Sequence, residues 1–193
     1  MKFVFATNNL HKLSEVQALL DKRFEIKTLR QCGIVEDIPE EQDTIEGNAS
    51  QKAHYVYDRV QEACFADDTG LEVKALNGAP GVHSARYAGD EHDFEANNVL
   101  LLKNLEGVED RSARFRTVIS LLIDGVEHQF EGVVEGRIID EYRGSEGFGY
   151  DPIFIPEGSD RTFAQMSAAE KNALSHRGRA VKKLVAYLQT IEK

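Results

Sequence analysis

The sequence predicts an α/β fold built on a mixed sheet, and three observations carry that expectation. Segments with helical spacing of apolar residues alternate with short apolar, strand-like runs along all 193 residues. Asp124-Gly125 lies between two strand-like runs and marks a hairpin, so the sheet contains antiparallel pairing and is not purely parallel. No repeat, low-complexity tract or linker divides the chain, so residues 1–193 are expected to form a single domain, long enough to bury a real core.

In chain order, Phe3 to Ala6 reads as a buried strand, and Thr7-Asn8-Asn9 as a turn into a helix carrying Leu10, Leu13, Val16, Leu19 and Leu20. A second strand is expected around Glu25 to Leu29, then an acidic loop from Glu36 to Asp43 containing Pro39. The next helix places Ile45, Ala49, Ala53, Val56 and Val60 on one face and Asn48 with Lys52 on another. Ala63 to Ala66 reads as a short strand ending at Asp67-Asp68-Thr69-Gly70, and Leu71 to Leu76 as another strand, closed by a turn at Asn77 to Gly81. Asp90 to Asp93 precedes a helix over Asp93 to Leu105. The hairpin joins Ala113–Ile123 to Val126–Val134, with Phe115, Thr117, Ile119 and Leu121 on one face, and Gly136 to Tyr142 extends the sheet. Ser167 and Glu170 form a capping box for a final helix that turns Leu174, Val181, Leu184, Val185 and Leu188 inward. Helical spacing there pairs Lys171 with Ser175 and Asn172 with His176.

The net charge of −10, spread along the chain, repels a nucleic-acid backbone and argues against a polymer ligand. A small phosphorylated ligand remains compatible, because local cations and a divalent metal can offset the charge. Cys32 and Cys64 have neither metal-ligand spacing nor disulfide-scaffold density. No segment approaches the ~20 apolar residues that span a bilayer, and the first residues are too short an apolar run for a signal peptide. The expected setting is the cytoplasm, with no membrane partner.

Four motifs carry chemistry. Thr7-Asn8-Asn9-x-x-Lys12 sits where a strand meets a helix N-terminus, a place that suits an anion. It lacks the glycines and Lys-Ser/Thr pair of a Walker loop, and an Asn cap beside a solvated Lys12 would explain the same residues. Asp67-Asp68-Thr69-Gly70 offers two carboxylates for a divalent cation or a water, or alternatively a polar turn. The run Glu36-Asp37-x-x-Glu40-Glu41 and Lys52, each taken alone, read as solvated surface. Phe148-Gly149-Tyr150-Asp151 offers a flat ring in a glycine-flanked loop, and Lys171, Ser175, His176 and Arg177 offer donors for a polar ring edge or a phosphate. Together these are the parts of a nucleoside triphosphate site.

The same residues, with Asn48-Ala49-x-x-Lys52-Ala53, Gly78-Ala79-Pro80-Gly81, Ser84-Ala85-Arg86-Tyr87 and Ser175-His176-Arg177-Gly178, resemble the inosine triphosphate pyrophosphatase family. The blocks run in order from Phe3 to about Leu188. The resemblance implies a two-lobed single domain with a long mixed sheet flanked by helices, an active cleft between lobes, a homodimer and dependence on Mg²⁺. It implies hydrolysis of ITP, dITP or XTP to the monophosphate and pyrophosphate. It assigns Thr7, Asn8, Asn9 and Lys12 to the triphosphate, Asp68 to catalysis, and Glu40 and Asp68 to the metal. Thr69 stands beside the substrate, Phe148 stacks on the purine, and Gly149, Tyr150 and Asp151 shape the pocket. Lys171, His176 and Arg177 contact the base or a neighbouring phosphate. Two positions depart from the family pattern: Glu41-Gln42 stands where Thr-Gly is frequent, and Asn8 where glycine is frequent, Asn being able to adopt positive φ. A pyrophosphatase acting on pyrimidine or standard nucleotides, and a nucleotide-binding module without turnover, are the alternatives that a substrate panel separates.

Overall fold

The computed structural model describes residues 1–20, 23–89 and 92–191. Its strands are β1 (Lys2–Phe5), β2 (Glu25–Thr28), β3 (Cys64–Val73), β4 (Pro80–Gly81), β5 (Ser112–Ile123), β6 (Val126–Ile138) and β7 (Phe154–Pro156). Its helices are α1 (Leu10–Leu19), α2 (Ile45–Val60), α3 (Phe94–Asn104), α4 (Ala168–Leu174) and α5 (His176–Ile191). The strands form one mixed sheet in the order β2-β1-β3-β5-β6-β7, with β4 paired to β3. The α/β class with a mixed sheet is therefore as the sequence predicts. Among the described residues no helix is long and apolar enough to cross a membrane.

The residues group into two compact units. The first comprises Met1–Asp68, Thr117–Gly132 and Arg177–Lys193. Here β1 pairs in parallel with β2 and with β3, Phe5 standing opposite Phe65. Parallel strands are covered on both faces, which is why Phe3 to Ala6 is an unbroken apolar run. Phe3 and Phe5 pack with Val16 of α1 and Val181, Leu184 and Leu188 of α5, whereas Val4 and Ala6 pack with Ala53 and Val56 of α2. Thr44 caps α2, its hydroxyl accepting the Gly47 N–H at 3.0 Å.

The second unit comprises Thr69–Arg116 and Val133–His176. Its core joins Leu71 and Val73 of β3, Leu101 of α3 and Leu105 that caps it, Phe115, Ile138, Phe154 and Phe163. β6 and β7 pair antiparallel with Gly136 opposite Pro156. A side chain at Gly136 would meet the Ile155 carbonyl oxygen at 2.3 Å, so only glycine permits that approach.

Several elements differ from the sequence reading. Asp67-Asp68-Thr69-Gly70 does not end a strand: β3 runs through it, because the two carboxylates meet buried cations and need no turn to reach water. Lys74–Leu76 is a 3₁₀ turn rather than strand. β6 continues to Ile138, taking in the first part of the expected extension. The last helix is two helices, broken at Ser175, whose ψ of 159° is extended. Asp90 and Glu91 lie outside the described residues, and Asp93 caps α3 by accepting the Ala96 N–H at 3.0 Å.

Candidate active site

The phosphate-compatible turn is built from the end of β1. The Thr7 hydroxyl accepts the Asn9 N–H at 3.1 Å, and Asn9 accepts the N–H groups of His11 and Lys12 at 2.9 and 3.1 Å. Asn9 is thus the helix cap of the bland alternative, but Lys12 is not solvated. Its ammonium reaches Asp67 Oδ1 at 3.1 Å and the Asp67 carbonyl at 3.4 Å. Asn8 Nδ2 donates to Asp37 at 3.4 Å. The Asn8 backbone does not use the positive φ that would answer a missing glycine.

β3 places Asp67 and Asp68 on opposite faces of the sheet, since successive side chains alternate. Asp67 is buried, and its Oδ2 accepts Arg177 Nε at 3.0 Å. Arg177 also pairs with Glu15, three residues beyond Lys12 on α1. Burial alone would raise the Asp67 carboxyl, but Lys12, Arg177 and Lys52 outweigh it and hold it well below the usual carboxylate range. Burial presses Lys12 down, reinforced by Lys52 and Arg177, with Asp67 opposing.

Asp68 meets a different partner. Lys52 of α2 donates to Asp68 Oδ1 at 3.2 Å and also pairs with Glu40. Lys52 is 5% exposed, so its reading as a solvated surface residue is corrected: the face it shares with Asn48 is buried. The Glu36–Glu41 run is not solvated surface throughout either. Asn48 Oδ1 accepts the Gln42 N–H at 2.9 Å and Gln51 Oε1 that of Glu41 at 2.9 Å, which holds the loop bearing Glu40 against α2. Asp68 Oδ2 is buried and has no hydrogen-bond partner among the described residues. Burial raises the Asp68 carboxyl above its ordinary value, and Glu40 adds to this, although Lys52 and Lys12 oppose them. Burial would lower Lys52, yet Asp68, Glu40 and Asp67 together raise it, so it stays a cation. Four carboxylates (Glu15, Glu40, Asp67, Asp68) face three cations in this cluster.

Among the described residues no group of three or more His, Cys, Asp or Glu is placed to hold a metal ion. Of the four carboxylates, Asp68 and Glu40 share Lys52, and Asp68 Oδ2 is buried with no partner among the described residues. That set suits Mg²⁺, which is bound through one or two carboxylates and completes its shell with water and substrate phosphates.

The second unit holds the aromatic loop. Asp151 Oδ2 accepts the Phe148 N–H at 2.9 Å and Lys171 Nζ at 2.6 Å. The Lys171 ammonium lies 4.8 Å from the Phe148 ring centroid. A side chain at Gly147 would strike Asp151 Oδ2 at 2.0 Å, and its φ of 77° also requires glycine. The Gly149 carbonyl accepts Asn98 Nδ2 at 3.0 Å, and the Phe94 ring, one turn earlier on α3, lies 5.9 Å from Phe148. Tyr150 is buried, with its hydroxyl donating to the Ser84 carbonyl at 2.8 Å, so it anchors the loop. His176 is buried and stacks on Phe115 at 4.6 Å.

Thus Thr7, Asn8, Asn9, Lys12, Glu40, Asp68 and Arg177 fall in the first unit, and Thr69, Phe148, Gly149, Tyr150, Asp151, Lys171 and His176 in the second. The break at Ser175 falls between Asn172 and His176, against the helical pairing of those two read from spacing, whereas the Ser175 N–H still bonds the Lys171 carbonyl. Sequence reasoning missed Glu15, Asn98 and Phe94. For Glu15, its helical spacing from Lys12 was the available signal.

Residues 3–187 match the model of the Ham1 family. The chain belongs to the Ham1 family. It is 54% identical over 188 residues to a dITP/XTP pyrophosphatase of Porphyromonas gingivalis, covering 97% of each chain. It is 50% identical over 188 residues to a dITP/XTP pyrophosphatase of Flavobacterium johnsoniae, covering 97% of this chain and 98% of the relative. The solved Ham1 protein of Staphylococcus aureus superposes with a TM-score of 0.91 at 39% identity, covering all of both chains. That of Coxiella burnetii does so with 0.90 at 39% identity, over 98% of this chain and 99% of the other.

Proposed function

We propose that this chain is a nucleoside triphosphate pyrophosphatase that hydrolyses non-standard purine nucleotides (ITP, dITP and XTP) to the monophosphate and pyrophosphate. One observation carries the reading: buried Asp68 keeps one oxygen without a partner among the described residues, beside Lys52 and Glu40. A buried polar atom left unsatisfied is costly, and a bound ion or water at that atom would relieve the cost.

Phosphate handling is assigned to the first unit. Lys12, with Thr7, Asn8 and Asn9 at the start of α1, holds the triphosphate and offsets charge on the leaving pyrophosphate. Asp68 orients the attacking water toward the α-phosphorus and accepts its proton at Oδ2. Lys52 holds Asp68 and Glu40 in place while Asp68 changes protonation. Asp68 and Glu40 are the residues that would bind Mg²⁺, which when bound neutralises phosphate charge and acidifies water.

Base reading is assigned to the second unit. Phe148 supplies the stacking face, held by Asp151 and shaped by Gly149 and Tyr150, with Thr69 near the substrate. Lys171, or His176 at the start of α5, donates to the six-position carbonyl of hypoxanthine or xanthine. Adenine presents an amino donor there and leaves a buried donor unpaired, a mismatch of about 1–3 kcal/mol. The resemblance also supports a homodimer working in the cytoplasm. Pyrophosphate release across ITP, dITP, XTP, ATP, GTP, CTP and UTP tests the reading. Preference for the inosine and xanthine nucleotides is expected. Preference for pyrimidine or standard nucleotides would overturn the base assignment, and binding without turnover would overturn the enzyme.

A further inference from the structure

The first unit contains a chain of four alternating charges whose far end, Glu15, has no role assigned above. Glu15 pairs with Arg177 Nη1, Arg177 Nε donates to Asp67 Oδ2, and Asp67 Oδ1 accepts Lys12 Nζ. Side-chain exposures are 13% for Glu15, 2% for Arg177, 0% for Asp67 and 15% for Lys12. Only the two ends, Glu15 and Lys12, reach toward water, and both stand on one face of α1.

A buried ion-pair chain is a poor device for stability, because desolvation cancels most of its attraction, and apolar side chains of similar volume would serve as well or better. What it does supply is geometry. Asp67 is fully buried and bonded at both oxygens, so it has one orientation, and the guanidinium fork between two carboxylates fixes it. Without Glu15, Arg177 has a positive charge to share with Asp67, drawing that carboxylate toward itself and away from the Lys12 ammonium.

We propose that Glu15 is a positioning residue: through Arg177 and Asp67 it fixes where the Lys12 ammonium stands, and so how the triphosphate is held. Arg177 then acts on the phosphate side through Asp67. The inference rests on the proposed pyrophosphatase reading, in which Lys12 binds the triphosphate.

The test is a double-mutant cycle of Glu15→Gln with Lys12→Ala, read as kcat/KM on ITP and on ATP. Glu15→Gln alone should lower kcat/KM by about tenfold, the scale of one charge-assisted hydrogen bond, and by the same factor for both nucleotides. In the Lys12→Ala background it should change kcat/KM less than about twofold, because the group it acts through is gone. An undiminished loss in that background, or a shift in the ITP-to-ATP ratio, overturns the inference. Should Glu15→Gln unfold, Glu15→Asp, which keeps the charge on a shorter arm, enters the same cycle. Trace acylation with acetic anhydride, followed by peptide mass spectrometry, reads Lys12 without turnover, with exposed Lys2 as the internal reference. Faster modification of Lys12 in Glu15→Gln supports the relay and an unchanged rate overturns it. Absence of turnover by the unmodified enzyme would dismiss the pyrophosphatase reading and leave that labelling result to decide the relay.

Discussion

Lys52→Met should destabilise the protein by an amount that depends on pH in a definite sense. The Lys52 side chain is 6% exposed and bridges the side chains of Asp68, 9% exposed, and Glu40, 33% exposed. Removing one partner of a buried pair leaves an uncompensated charge and costs about 3–5 kcal/mol. The Glu40 arm is a third exposed and is worth at most ~1 kcal/mol after solvent screening. The loss is therefore set by Asp68, at about 3 kcal/mol near neutral pH without divalent metal. At ~2–4 °C per kcal/mol for a chain of this size, Tm should fall by about 6–12 °C. Asp68 is already raised by burial, and the substitution removes the first attraction that opposes this. A carboxyl raised on folding contributes stability that is complete below its unfolded value, about pH 4, and is lost as pH rises through the folded value. The deficit of Lys52→Met should thus be small near pH 4 and grow toward pH 7. Thermal melts of both proteins in EDTA across pH 4–8 measure it. A deficit that is flat with pH, or below about 1 kcal/mol at pH 7, would refute the claim that Lys52 compensates a buried Asp68.

Asp68→Asn should keep the volume but remove the base and the charge, lowering kcat by about a hundredfold or more; near-normal steady-state turnover would take Asp68 out of catalysis. Phe148→Ala should raise KM for every nucleotide by about 5- to 100-fold, since base–aromatic stacking is worth ~1–3 kcal/mol and every base has a π face. Lys171→Met should instead narrow the ITP-over-ATP ratio in kcat/KM, and an unchanged ratio would pass the donor role to His176. Cys64 is buried against the Ala53 carbonyl, and burial pushes its thiol up to about 12, so it should resist a disulfide reagent at pH 8 until the protein unfolds.

The legible part of this molecule is the part written in short-range pattern. Phe3 to Ala6, the Val16 stripe, the Ala49–Ala53–Val56 face and the Asp124-Gly125 hairpin follow from periodicity and turn chemistry, and each lies where spacing puts it. Two errors share one cause. Asp67-Asp68 read as a strand end and Lys52 as surface because a charge has only its sequence neighbours when read alone. In the fold the Lys52 partners come from a loop twelve residues back and a strand sixteen residues on. Arg177 and Asp67 meet across 110 residues, a separation at which no local pattern speaks. The break at Ser175 was hidden for a different reason. The capping box at Ser167 and Glu170 reads correctly as a helix start, but no Gly or Pro stands at Ser175 to mark the stop, and Gly178 lies inside α5.

The measurement that bears most directly on the account is turnover of ITP in ¹⁸O-enriched water with Mg²⁺, with both products analysed by mass spectrometry and ATP run alongside. Attack by water on the α-phosphorus puts one ¹⁸O into inosine monophosphate and leaves pyrophosphate unlabelled, with ATP turned over far more slowly. Label in pyrophosphate, release of inorganic phosphate as the first product, or equal turnover of ATP would contradict it.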